Sequence, residues 1–156
     1  MTDADSAEPQ VVLQKLYVKD ISFESPSAPQ VFLQAAIKPK LQIELVSKSQ
    51  HIDADLYEVA LEITVTVRNQ DQNEKTLFLI EVEQAGLFTI RGFTAEDLAE
   101  VLGVFCPQAI FPYLREVLDS AAVKGGFPPL MLVPINFEGM YSTQADARSP
   151  EPPSEE

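Results

Sequence analysis

Tryptophan is absent from the 156 residues, and cysteine and histidine occur once each, as Cys106 and His51. A lone thiol closes no internal disulfide and builds no thiolate zinc site, so the chain suits a reducing compartment. With one histidine, any Ser–His–Asp or Cys–His system would have to run through His51, and no nucleophile motif surrounds any serine. The six glycines (86, 92, 103, 125, 126 and 139) match no phosphate-cradling spacing. Basic residues are scarce: 11 Lys and Arg against 24 Asp and Glu give a net charge of −13. Such a chain repels a phosphate backbone and an anionic membrane surface, and it complements a basic protein surface or cationic peptide. Long apolar runs are also missing. The longest uncharged stretch, Val101 to Leu114, contains Pro107 and Pro112 and falls short of the about 20 residues of a membrane helix. The N-terminus, MTDADSAEPQ, is acidic and polar where a secretory signal is basic and then apolar. These exclusions leave a soluble, cytosolic, single-domain protein as the expectation.

What the chain does have is 46% apolar residues, enough for one core. Residues 1–10 and 142–156 read as disordered acidic ends, each of net −3, because they hold too few apolar side chains to offset their ordering entropy. The body, 11–141, keeps −7. Its first half alternates. Tyr57, Val59, Leu61, Ile63, Val65 and Val67 share one face of a strand, with Glu58, Glu62, Thr64, Thr66 and Arg68 largely on the other. Ile37 to Leu45 and Thr76 to Arg91 repeat the pattern, the latter with Phe78, Ile80 and Val82 on one face and Leu77, Leu79, Glu81 and Glu83 on the other. Val12 to Glu24 is extended, with Leu13, Tyr17, Ile21 and Phe23 in one phase and Leu16, Val18, Asp20, Ser22 and Glu24 in the other. Ser25 to Pro29 and Asn69 to Lys75 read as loops.

The second half changes period. Thr94 with Asp97 opens a short helix, striped by Leu98, Val101 and Leu102, and Pro107 is expected to end it. A second helix runs from about Gln108 to Lys124, with Ile110, Leu114, Val117, Leu118 and Ala121 on one face and Gly125-Gly126 as its stop. FPPLMLVPI (127–135) is extended and apolar, and Asn136 caps a last helix near Phe137 to Ala147. Four strands followed by helices predict an α+β fold, a four-stranded antiparallel sheet with helices on one face.

The residues offer three features to weigh. HIDAD (51–55) has metal-like spacing but lacks the further oxygen ligands and glycine of a calcium loop, and it reads as a solvated loop. Asp20 and Glu24 share one phase of the first strand, as do Leu79 and Glu81 of the fourth. Together they form either ordinary solvated sheet surface or a docking surface for a basic partner. The phenylalanines and the 127–135 segment either cover the core or line an open apolar groove, and the Ile110–Ala121 helix face could serve a subunit interface. Cys106, between Phe105 and Pro107, reads as a small buried hydrophobe. Nothing in this inventory supports catalysis.

Four long blocks resemble a known family, the bacterial protein-export chaperone SecB. They are YVKDISFESPSAPQVF (17–32), EVEQAGLFTIRG (81–92), LGVFCPQAIFPYLREVL (102–118) and GGFPPLMLVPINFEGMY (125–141). The resemblance spans Leu13 to Tyr141. It implies a cofactor-free, non-enzymatic chaperone, homotetrameric as a dimer of dimers. Such a chaperone holds unfolded precursor proteins without ATP and delivers them to the motor ATPase SecA at the membrane. It assigns SecA docking to Asp20, Glu24, Leu79 and Glu81, the patch the strand phases also single out. Apolar grooves would take the client, with Phe32, Ile37, Phe88, Phe111, Phe127 and Met131 as candidate lining. Ile80, Val82, Gln84, Ile110, Leu114 and Leu118 are expected at subunit interfaces. Ile37 stands where the family often has tryptophan, and Ile80 where some relatives have cysteine. A SecB-like holdase linked to an antitoxin would keep the grooves but could lack the acidic docking set, whose retention favours the export role.

Overall fold

The computed structural model describes residues 8–71 and 73–148. Four strands, β1 (Gln10–Glu24), β2 (Pro39–Asp53), β3 (Leu56–Asn69) and β4 (Lys75–Arg91), form one antiparallel sheet in the order β1-β4-β3-β2. Alternation decides which face is buried. Val59, Leu61, Ile63, Val65 and Val67 of β3 and Phe78, Ile80, Val82 and Phe88 of β4 point to a single core, where a period of two places every second side chain. Ile37 is not in a strand; β2 begins two residues later, at Pro39, which suits a strand's first position. HIDAD is mostly strand. His51 to Asp53 end β2, and the turn is only Ala54 and Asp55. The His51 ring meets Ala54 O at 2.8 Å and packs on Tyr57 at 4.9 Å, so it braces the hairpin.

β1 departs from simple alternation. Its pairing with β4 slips between Leu13 and Lys15 and again between Val18 and Asp20. Each bulge inserts one residue and exchanges the two faces. Leu16 and Val18 therefore join Leu13, Ile21 and Phe23 on the helix side. Tyr17, opposite Ala85, joins Asp20, Ser22 and Glu24 on the outer side.

α1 (Ala95–Glu100) starts as the sequence predicts, with the Thr94 hydroxyl accepting from Asp97 N at 3.2 Å. Pro107 does not end it. A π-turn, Val101–Phe105, links α1 to α2 (Cys106–Lys124) in one unbroken helix. The wider turn explains the continuity: Cys106 N reaches back five residues to Val101 O. The ladder thus changes register beside the position where proline supplies no donor. By length and composition alone this fused helix, Ala95–Lys124, could cross a membrane, which the reading of two shorter helices did not anticipate. Its apolarity has another use here. Ile110, Phe111, Leu114, Leu118, Ala121 and Ala122 are buried on the core side of α2, which lies over β4 and β3. At about 0.8 kcal/mol per buried methylene, this face is the main tie between helix and sheet.

A strap, 126–136, with prolines at 128, 129 and 134, leads to α3 (Phe137–Arg148). Asn136 Oδ1 accepts from Gly139 N at 3.0 Å, the cap expected from sequence. The stretch 142–148, expected to be disordered, continues this helix, while 1–7 and 149–156 lie outside the described residues. Tyr141 sits against Gly103 of the π-turn, where a Cβ would lie 2.5 Å from its ring, so only glycine admits that contact.

Candidate functional site

The outer face of the sheet is polar, and register fixes its neighbours. Glu24 lies opposite Leu79, Ser22 opposite Glu81 and Asp20 opposite Glu83. On the other side of β4, Thr66, Thr64 and Glu62 oppose Leu79, Glu81 and Glu83. The four sequence-predicted docking residues therefore share one corner of one face. Asp20, Glu24 and Glu81 are exposed and Leu79 is half-buried.

The charges on this face are not equivalent. Glu62 directly opposite Glu83 is a repulsive pair, and cations offset it. Lys48 Nζ lies 2.6 Å from Glu62 Oε2, and Lys19 Nζ lies 3.0 Å from Glu58 and 4.0 Å from Glu83. The Tyr17 hydroxyl donates to the other oxygen of Glu58. That bond, with help from Lys19, holds the Glu58 carboxyl below its usual range against the opposing effect of burial. Burial and the same bond push Tyr17 up to about 12. Asp20, Glu24 and Glu81, by contrast, make no ion pair among the described residues. The uncompensated negative charge thus gathers around the one apolar member, Leu79.

The helix side opens differently. α2 covers β3 and β4 but leaves Leu41 and Ile43 of β2 exposed. Between β2 and the strap lies an apolar groove of about 400 Å³, walled by Ile37, Leu41, Val67, Leu77, Phe78, Phe127 and Leu130 with Pro39, Pro128 and Pro129. Its floor belongs to a run of packed rings. Phe23 stacks on Phe78 at 5.9 Å, Phe78 meets Phe127 at 4.4 Å, and Phe127 meets Phe32 at 5.4 Å.

Of the groove candidates from sequence, Ile37 and Phe127 line it, and Phe32 adjoins it half-exposed. Met131 is exposed and is not among the lining residues. Phe88 and Phe111 lie in the core. Both are buried, Phe88 beneath the sheet's helix side and Phe111 against Phe137 at 5.9 Å. Leu41, Phe78 and Leu130 were missed. The dense FPPLMLVPI segment signalled Leu130, and the β-alternation signalled Leu41 only as strand.

The residues expected at subunit interfaces lie in the core of this chain. Ile80, Val82, Gln84, Ile110, Leu114 and Leu118 are all filled by this chain itself, none more than 2% exposed. They pack helix on sheet within the protomer. Gln84 donates to Tyr17 O at 3.1 Å, and its Oε1 has no partner among the described residues. Apolar side chains open beyond the groove include Leu13, Val18 and Ile21 on β1, Ile43, Val46 and Ile52 on β2, and Phe105, Tyr113 and Val123 on the helix. Cys106 is fully buried, and desolvation pushes its thiol up to about 12. Among the described residues no three His, Cys, Asp or Glu side chains gather as a metal site.

A four-stranded antiparallel sheet with a long helix on one side, an acidic outer face and an apolar groove at its rim agrees with what known proteins add. Residues 4–148 match the family model described as preprotein translocase subunit SecB. A protein-export protein SecB of Chromobacterium violaceum is 47% identical over 144 residues, covering 92% of this chain and 93% of the relative. That of Chromohalobacter salexigens is 49% identical over 140 residues, covering 90% and 84%. In fold, the chain is similar to a Mycobacterium tuberculosis SecB-like chaperone solved in complex with an antitoxin peptide. The TM-score is 0.67 at 18% identity, with 81% of this chain and 91% of that one covered. The chain belongs to the SecB family.

Proposed function

We propose that this protein is a non-enzymatic, ATP-independent export chaperone. It holds unfolded precursor proteins in the apolar groove and passes them to SecA through the acidic outer face. One observation carries the reading: the groove and the uncompensated acidic corner occupy opposite sides of the same sheet. A client and a folded basic partner can then be bound at once without competing for surface.

The groove is open, and its walls are aromatic, aliphatic and prolyl. An unfolded chain exposes the same kinds of side chain, and burying them contributes about 25 cal/mol per Å². No single groove of this size holds a long client tightly. Several copies acting on one chain would raise avidity by about 10²–10⁴-fold when the spacing allows joint engagement. Assembly as a homotetramer supplies those copies. Val18 and Ile21 on the edge strand and Phe105, Tyr113 and Val123 on the helix are the apolar surface it would cover. The acidic corner supplies charge for a basic partner, with Leu79 as the apolar contact at its centre. A cytoplasmic site of action fits this role.

The test is a refolding assay. A slow-folding denatured precursor is diluted into buffer with this protein and no nucleotide. A stoichiometric block of refolding, released by a competing unfolded peptide, is the expected result. Unchanged refolding at a several-fold excess would overturn the proposal.

A further inference from the structure

One wall of the groove is a segment with almost no backbone support of its own. Residues 128–134 form neither helix nor strand, and three of them are prolines that offer no amide. Among the described residues, the hydrogen bonds tying this stretch to the rest of the fold both end on one atom. Leu130 N and Met131 N donate to Asp119 Oδ1, at 3.0 and 3.1 Å. Asp119 stands on α2, eleven and twelve residues earlier in the chain.

Two consecutive amides reach one acceptor only when the backbone curls, and here it does. Met131 has φ 52, the left-handed region that a side chain other than glycine's rarely adopts. An anionic acceptor at the focus of two amides is the arrangement that holds such a curl. The curl decides which way the strap's apolar side chains point. Leu130 turns in and lines the groove, while Met131 is 74% exposed; Leu132 turns in again and Val133 is 77% exposed. Without the tether, this order of inward and outward residues has no polar constraint.

We infer that Asp119 is a positioning residue for client binding: by capturing the Leu130 and Met131 amides it holds the strap as a preformed groove wall. The inference rests on the chaperone reading above. A preformed wall raises apparent affinity because the binding-competent shape does not have to be selected from a looser ensemble.

The experiment compares wild type with Asp119→Ala and Asp119→Asn. Asparagine keeps an oxygen acceptor and removes the charge, and alanine removes both. Two readouts are taken: hydrogen–deuterium exchange of peptides spanning 126–135, and affinity for a reduced, carboxymethylated polypeptide that cannot refold. In Asp119→Ala, exchange at the strap is expected to rise by about tenfold while the core strands stay protected. Affinity is expected to fall by about five- to tenfold, the share lost to the looser ensemble. Asp119→Asn should recover most of both. If alanine leaves exchange and affinity unchanged, or if affinity falls with no rise in exchange at the strap, the inference is overturned. A wild-type protein that binds no unfolded polypeptide would instead overturn the chaperone reading and, with it, the inference.

Discussion

Substituting alanine for Gly125 adds one methyl group where Phe23 already sits. An ideal Cβ there lies 2.1 Å from Cζ of that ring and 2.7 and 2.8 Å from its two ε carbons. The backbone itself would accept alanine, since Gly125 has φ −79 and ψ 0. Two effects therefore oppose each other. Alanine narrows the unfolded ensemble and stabilises by about 0.4–1 kcal/mol. The overlap forces the ring aside and costs about 1–3 kcal/mol. The ring cannot move freely, because Phe23 stacks on Phe78, which packs on Phe127. The clash should win, with a net loss of about 1–2 kcal/mol. That is about 3–6 °C in Tm for a chain of this length. In a Phe23→Ala background the obstruction is gone, and the same Gly125→Ala change should stabilise by about 0.4–1 kcal/mol. The assay is thermal and urea unfolding of the four proteins at one fixed protein concentration, since self-association would make Tm concentration-dependent. A Gly125→Ala effect of the same sign and size in both backgrounds would refute the close approach of helix end and edge strand.

Three further outcomes are expected. Tyr17, pushed up to about 12, should give a late step in an absorbance titration, and Tyr17→Phe should remove that step. Its raised value means that its contribution to stability is complete below pH 10 and lost as pH climbs toward 12; Glu58, held low, contributes above the ordinary carboxylate range and loses its share as pH falls through its lowered value. Unfolding midpoints measured against pH check both signs, and a Tyr17→Phe variant with an unchanged alkaline limb would contradict them. Cys106 should resist a disulfide thiol reagent in the native protein at pH 8 and react fully once unfolded, because it is buried with its thiol pushed up to about 12; fast labelling of the folded protein would contradict its placement. Glu81→Lys, placed beside Leu79 in the uncompensated corner, should weaken SecA binding by about tenfold or more and leave client binding intact; equal SecA affinity measured by titration would remove that corner from the docking surface.

The strands were legible because their signal is local. Every second residue of Tyr57–Val67 is apolar, and burying that face requires no knowledge of the rest of the chain. The same locality misled at β1, where two bulges change the phase and nothing in the alternating letters marks the inserted residues. It misled again at Pro107, where a π-turn, a tertiary-scale accommodation, keeps the helix running. The acidic corner was legible because acidic residues in one strand phase must emerge on one face. The groove was legible only as a composition. Core and groove select the same side chains, so Phe88 and Phe111 could not be told from Phe127 until the helix had been placed over the sheet. Asp119 carried no signal, since an aspartate on the flank of an amphipathic helix looks like ordinary solvated surface until the strap folds back onto it.

The strand order has a consequence in time as well as in space. β1 is complete by Glu24, yet among the described residues its partner strand is β4, and its first residue pairs with Arg91. During synthesis the earliest strand therefore waits while β2, β3 and β4 are made. Those three are joined by adjacent hairpins and can form a meander without it. β1 is fitted for the wait: Lys15 and Lys19 interrupt its apolar residues, and its two irregular steps make it a poor template for pairing with a neighbouring chain. The first strand to be made thus completes its pairing only when Arg91, the residue before Gly92, has arrived.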